Sequence, residues 1–165
     1  MFSPRLASGL GLLFLFVSGC VSVGMNQTPT RHATGLQFEA PLSPYEKTSA
    51  KDVDGAWRNS KTGSFITFLS ECSEASDPTL ESVRNEVIRG VTDVQIHRSE
   101  TTTYQAREAL RTVVVGRVDG VSSTVDLLIF KRNGCTYVLN LVALPQSYAP
   151  DLPPFDRFIR EFKAP

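Results

Sequence analysis

The chain has 165 residues, 41% of them hydrophobic, with 17 basic and 17 acidic side chains. That length holds one domain of ordinary size with its own core. The balanced charge excludes nucleic acid as the main partner, which calls for a clustered cationic face, and excludes a polybasic membrane-binding patch.

Met1–Cys20 has the layout of an export signal. Arg5 gives a positive start, Leu6–Val17 is apolar apart from Ser8, and Ser18 and Gly19 are small residues suited to a peptidase. The apolar run falls short of the roughly 20 residues that a spanning helix needs. Val17-Ser18-Gly19-Cys20 resembles the lipobox of bacterial lipoproteins, with Val in place of the commoner Leu. The resemblance implies a signal peptide over 1–19, cleavage between Gly19 and Cys20, a diacylglycerol thioether on Cys20, and acylation of the new amino group with a chain such as palmitate. Several buried acyl chains hold far more durably than one, at about 0.8 kcal/mol per methylene. Val21 follows the cysteine, not an Asp resembling an inner-membrane retention signal, so the resemblance points to the outer membrane and a module facing the periplasm. An ordinary secreted protein with a cysteine near its cleavage site is the competing reading.

Residues 20–35 read as a flexible tether, with Gly24, Asn26, Gln27, Pro29 and Thr34 and little to bury. Such a segment spans about 20 Å on average and at most about 50 Å. His32 lies in it and reads as solvated.

Residues 36–165 form a single predicted domain. Leu36–Glu39 is a predicted first strand, followed by the turn Pro41–Pro44. Ala56-Trp57-Arg58 and Ser64–Glu71 flank Asn59–Gly63, a hairpin signal, with Trp57 as a core anchor. A helix follows, with Asp77 as cap, Pro78 in its first turn and Gly90 as stop. Its apolar stripe is Leu80, Val83, Val87 and Val91. Val91–Gln105 reads as a strand. Then comes a three-stranded meander over Ala109–Val118, Ser123–Lys131 and Cys135–Leu144, with Asp119-Gly120 and Asn133-Gly134 at its turns. Val113–Val115, Leu127–Phe130 and Tyr137–Leu139 are apolar on both faces, so the sheet is expected to be covered on both sides. Phe155, Phe158, Ile159 and Phe162 recur at helical spacing after Asp151, Pro153 and Pro154, predicting a C-terminal helix that docks on the sheet.

The fold class is thus α+β, an antiparallel sheet covered by helices on both faces. This order of elements resembles the PsbP-like α/β/α sandwich, also seen in small secreted lipoproteins. The resemblance covers about Leu36 to Lys163 and implies a binding or assembly accessory, not an enzyme. No metal or partner residue of that family maps onto this chain.

Cys72 and Cys135 remain once Cys20 is lipidated. One ends a predicted strand and the other opens one, and an oxidising compartment favours a disulfide between them. Free buried thiols are the alternative. A reactive thiol has neither a CxxC spacing nor an obvious His partner.

No catalytic residue, metal site or cofactor is predicted. There is no G-x-S-x-G elbow, and His97-Arg98-Ser99-Glu100 places its suggestive letters on alternating faces of a strand. Two distant histidines do not make a zinc site. Glu71, Glu74 and Asp77 form an acidic loop without the spacing of calcium loops. The leading expectation is a membrane-anchored, non-catalytic domain that binds or supports an envelope protein. A carrier of a small apolar or lipidic ligand is the alternative, and an uncharacterised hydrolase comes third.

Overall fold

The computed structural model describes residues 31–73 and 77–165. The signal peptide, Gly19, Cys20 and most of the tether lie outside these residues, as does Glu74. Seven strands and two helices run in the order β1 (Tyr45–Thr48), β2 (Gly55–Asn59), β3 (Phe65–Cys72), α1 (Leu80–Val87), β4 (Val91–Tyr104), β5 (Arg107–Val118), β6 (Val121–Arg132), β7 (Cys135–Ala143) and α2 (Pro145–Glu161). The strands form one sheet in the order β1-β2-β3-β7-β6-β5-β4, every neighbour antiparallel.

Three tight turns fix the meander. Asp119-Gly120 and Asn133-Gly134 all have positive φ, the conformation that a two-residue hairpin matched to strand twist requires. Gln105-Ala106 adopts the same conformation (φ 48° and 59°) without a glycine. The side chain of Gln105 holds that turn in place. Its Nε2 donates to the Phe162 carbonyl at 2.9 Å, and its Oε1 accepts from the Ala164 amide at 3.2 Å.

Because successive strand residues point to opposite sides, β5, β6 and β7 feed two separate cores. Leu128, Phe130, Tyr137, Leu139 and Leu141 join Trp57, Phe68, the α2 residues Phe155 and Phe158, and Phe162, which caps the end of α2. Leu110, Val114, Val125, Leu127, Ile129 and Val138 join Leu80 of α1, with Val83 and Val87 at the margin. Burying each α2 phenylalanine contributes about 2–3 kcal/mol.

Several expectations need correction. Leu36–Glu39 is not a strand: Gln37 makes one isolated bridge with Lys163, and the first strand is Tyr45–Thr48. The segment instead lies over the large core, with the Phe38 ring 5.0 Å from Phe68 and 6.0 Å from Phe162. Helix α1 is capped by Thr79, whose hydroxyl accepts from the Ser82 amide, because Asp77 is drawn into an ion pair with Lys131. Helix α2 begins at Pro145, and Pro150, Pro153 and Pro154 lie inside it. Each proline leaves a carbonyl four residues earlier without its helical donor. Those carbonyls belong to Gln146, Ala149 and Pro150, all on the exposed side where water can meet them. Asp151 is therefore not at the start of the helix but inside it, 2% exposed, accepting from Asn59 Nδ2 at 2.7 Å and Thr62 Oγ1 at 2.8 Å. It pins the β2–β3 turn to α2.

Candidate interaction surface

Histidine, serine and aspartate do meet once in the described residues, in an order unsuited to hydrolysis. Ser70 Oγ donates to Asp54 Oδ2, and His32 Nδ1 lies 2.6 Å from Asp54 Oδ1 and 3.1 Å from the Ser70 carbonyl. A hydrolytic base must stand between nucleophile and carboxylate. Here the carboxylate stands in the middle, and Ser70 is fully buried. The arrangement is an anchor: the Ala33 amide donates to Ser70 Oγ, and the Arg31 carbonyl accepts from the Cys72 amide at 2.7 Å. His32 is thus partnered, not merely solvated, and the chain packs on β3 from Arg31, before the predicted domain start at 36. No local pattern in the sequence signals this.

Cys72 and Cys135 are bonded to each other. They lie directly opposite in the β3–β7 register, and the Cys72 amide turns away from β7 towards Arg31. This makes them a non-hydrogen-bonded cross-strand pair, the kind in which side chains approach most closely. The bond closes a loop with a sequence separation of 63.

Beside it lies a cleft of about 480 Å³ lined by Glu71, Asp77, Arg107, Lys131 and Arg132. Its charges are largely spent on the protein itself. Lys131 pairs with Asp77, and Arg132 Nε donates to the Pro165 carbonyl at 2.8 Å. Among the described residues no group of three or more His, Cys, Asp or Glu side chains is placed to hold a metal.

A buried charge cluster joins the sheet to α2. Arg111 of β5 donates to both oxygens of the fully buried Asp126 (3.1 and 2.9 Å) and to Asp156 of α2 at 2.8 Å. Tyr148 donates to Asp126 at 2.8 Å, and the guanidinium lies 5.9 Å from the centre of the Phe155 ring. Burial works to lower the Arg111 pKa, but bonding to Asp126 and then Asp156 outweighs it and raises the value. Burial, then the Asp126 charge, pushes the Tyr148 phenol up. Each member bonds to another within the cluster, so the cluster fastens α2 to the sheet.

What remains open is β4. Of its fourteen residues only Val91 and Tyr104 are even half-buried, whereas β6 beside β5 is buried over most of its length. It is the terminal strand, and among the described residues nothing pairs with its outer edge. The other edge, β1, has four residues. Register shifts at Thr92/Gln95 and Ile96/Arg98 bend the first half of β4, with His97 exposed in the second bulge. At that end Gly116 of β5 admits the close crossing of β4: a Cβ there would lie 2.5 Å from Val91 Cγ1 and 2.6 Å from the Thr92 carbonyl. Arg98–Tyr104 then pairs regularly with Val113–Arg107. Tyr104 and Arg107 close the two-residue hairpin and so exchange both backbone bonds. Counting back by twos, Ser99, Thr101 and Thr103 turn their N–H and C=O groups outward. The Tyr104 hydroxyl donates to the carbonyls of Ile159 (2.7 Å) and Phe162 (2.6 Å), holding this strand end to the end of α2. Burial pushes its phenol up to about 12, against a smaller lowering by Gln105.

No protein-family model matches the sequence, and no curated protein matches it. Solved structures do. The cyanobacterial PsbP protein CyanoP from Synechocystis sp. PCC 6803 is similar with a TM-score of 0.57 at 13% identity, over 90% of this chain and 99% of its own. LpqN, described as involved in cell envelope biogenesis of Mycobacterium tuberculosis, is similar with a TM-score of 0.56 at 12% identity, over 85% of this chain and 88% of its own. At these identities the likeness is one of fold, and the protein has a PsbP-like α+β fold built on a mainly antiparallel sheet.

Proposed function

We propose that this protein is a lipid-anchored, non-catalytic accessory module of the cell envelope that works by binding another envelope component through the β4 edge. The observation that carries this reading is the contrast in the sheet: twelve exposed residues on a fourteen-residue terminal strand, against charged groups under α2 that are bonded to one another. The two core clusters support an α/β/α sandwich as the architecture. Description of LpqN as an envelope biogenesis protein is consistent with the setting. The lipobox at Val17–Cys20 supports anchoring through Cys20, on the outer membrane and facing the periplasm. Residues 20–31 would then keep the disulfide end of the sheet within about 40 Å of the bilayer.

A lipid carrier is favoured less. The space between sheet and α2 is occupied by Phe155, Phe158 and Phe162, each at most 1% exposed, which leaves no room for an acyl chain.

Two measurements test the proposal. Labelled palmitate should enter the wild-type chain but not Cys20→Ala, and equal labelling would sink the anchor. A photo-crosslinking residue at Thr102 in intact cells should capture a reproducible product, whereas one at Glu46 on β1 should not. Identical patterns from the two edges would refute binding through β4.

A further inference from the structure

Granting the reading that β4 is the binding edge, we infer that its occupant is a second copy of the same chain, with β4 paired antiparallel to β4 about a two-fold axis at Thr101. Among two-fold registers centred within the regular run, those on Thr102 and Thr103 carry Ser99 against the Gln105-Ala106 turn or past it, where no strand remains to pair. Centring on Glu100 sets two carboxylates face to face, and like charges directly opposite are destabilising. Centring on Ser99 runs the outward positions into the His97 bulge and leaves one regular bonded pair. Centring on Thr101 sets Ser99 opposite Thr103 of the second copy, Thr101 opposite itself, and Thr103 opposite Ser99. Every outward amide and carbonyl of the regular run then meets a partner.

The side chains agree with that register. Glu100 falls opposite Thr102, and Arg98 opposite Tyr104, so no charge meets its like. Arg98 and Glu100 already lie 3.7 Å apart on one face and cancel, which lets two copies approach without net repulsion. Threonine faces threonine at the axis, a pairing that stabilises antiparallel sheets. Side chains over this run are polar apart from Tyr104, whose hydroxyl is taken by α2, so no apolar pocket selects the residues of a foreign strand. The pairing is isologous and consumes the long edge of each copy, so assembly closes at two.

The test uses single cysteines in the full-length chain, oxidised mildly in membranes. Thr101→Cys should give a disulfide-linked product of twice the chain mass. Glu100→Cys and Thr102→Cys, the non-hydrogen-bonded pair of this register, should each give little alone and the same product when co-expressed, since each faces the other. Equal self-linkage at all three positions would mean random collision and overturn the register. A Thr101→Cys adduct with a protein of different mass would overturn self-pairing while leaving binding through β4 intact. No adduct of any kind would remove both. Thr101→Pro supplies a second arm, because the Thr101 N–H points away from β5 and its loss spares the sheet. Sedimentation equilibrium in detergent should show self-association at least tenfold weaker with an unchanged melting curve. Unchanged association would overturn the proposal.

Discussion

The half of the sheet beneath α2 and the wing formed by β5 and β4 use similar strand geometry but are held by different means. Under α2, rings pack on rings: Phe158 lies 5.4 Å from Trp57 and 6.3 Å from Phe68, and the Cys72–Cys135 bond ties β3 to β7. The outer strand of the wing has hydrogen bonds along one edge, bulges at one end and Tyr104 hooked to the end of α2 at the other. Removing buried groups from the first region should therefore cost several kilocalories, whereas comparable changes on β4 should leave the fold standing and alter only what its edge does.

The sharpest contrast is Phe158→Ala against Ile96→Ala. The first empties a 1%-exposed site and should destabilise by about 3–5 kcal/mol in urea unfolding. The second removes a side chain that is 49% exposed and should stay within about 0.5 kcal/mol. Comparable losses would mean that β4 belongs to the cooperative core.

Arg111→Ala comes next. It strips the cation from a fully buried Asp126, and breaking such a pair costs about 3–5 kcal/mol, placed here near 3 because Arg111 is 20% exposed. Glu100→Ala, opposite Arg111 in register but outside the cluster's bonds, should cost under about 1 kcal/mol. A similar loss for the two would show that the charge is shared across β4 and not confined to α2.

The disulfide follows. Replacing Cys72 and Cys135 together with Ser should lower stability by about 2–4 kcal/mol, the chain-entropy expectation for a loop of this size being about 4. Thermal melts of the variant and of reduced wild type should coincide. An unaffected melting point would mean that packing under α2 already fixes β3 against β7.

Tyr104 links the two regions, and pH reads that link. Its phenol is pushed by burial to about 12, above its ordinary value near 10. From pH 10 the unfolded chain loses this proton while the folded chain keeps it, so stability present below pH 10 is lost as pH rises towards 12. Tyr45, Tyr137 and Tyr148 are raised as well, burial coming first in each, and they contribute in the same direction. Tyr104→Phe should reduce the alkaline slope by one proton's worth. An unchanged slope would show that the hook is already open at that pH.

Much of the packed half was legible because its signals are local. Three phenylalanines at helical spacing, the Asp-Gly and Asn-Gly turns, and strands apolar on both faces each state their role within a short window. What was not legible depends on distant partners. Leu36–Glu39 alternates like a strand, but α2 and the tail at Lys163 claim it first. The prolines of α2 forbid a helix only if their orphaned carbonyls are buried, and exposure at Gln146 and Ala149 is a tertiary fact. His32 reads as solvated until Asp54 arrives from 22 residues away in the chain. The candidate edge was visible as a threonine-rich strand, yet that it terminates the sheet follows only from the strand order.

The Gln105-Ala106 turn is the clearest such case and carries the smallest expected effect. Asp119-Gly120 and Asn133-Gly134 announce their hairpins, whereas Gln-Ala announces nothing, because alanine at φ 59° is disfavoured by roughly 1 kcal/mol or more. It is held there by the Gln105 side chain, which bridges to Phe162 and Ala164 and so draws its strain energy from the tail that follows α2. Ala106→Gly relieves the strain but loosens the unfolded chain, and the balance should be a gain of about 0.5 kcal/mol. In a Gln105→Ala background, where that tie is gone, the gain should rise to about 1 kcal/mol. If Ala106→Gly were neutral in both backgrounds, the hairpin would be set by β4–β5 pairing alone, and the wing would owe nothing to the half that α2 locks.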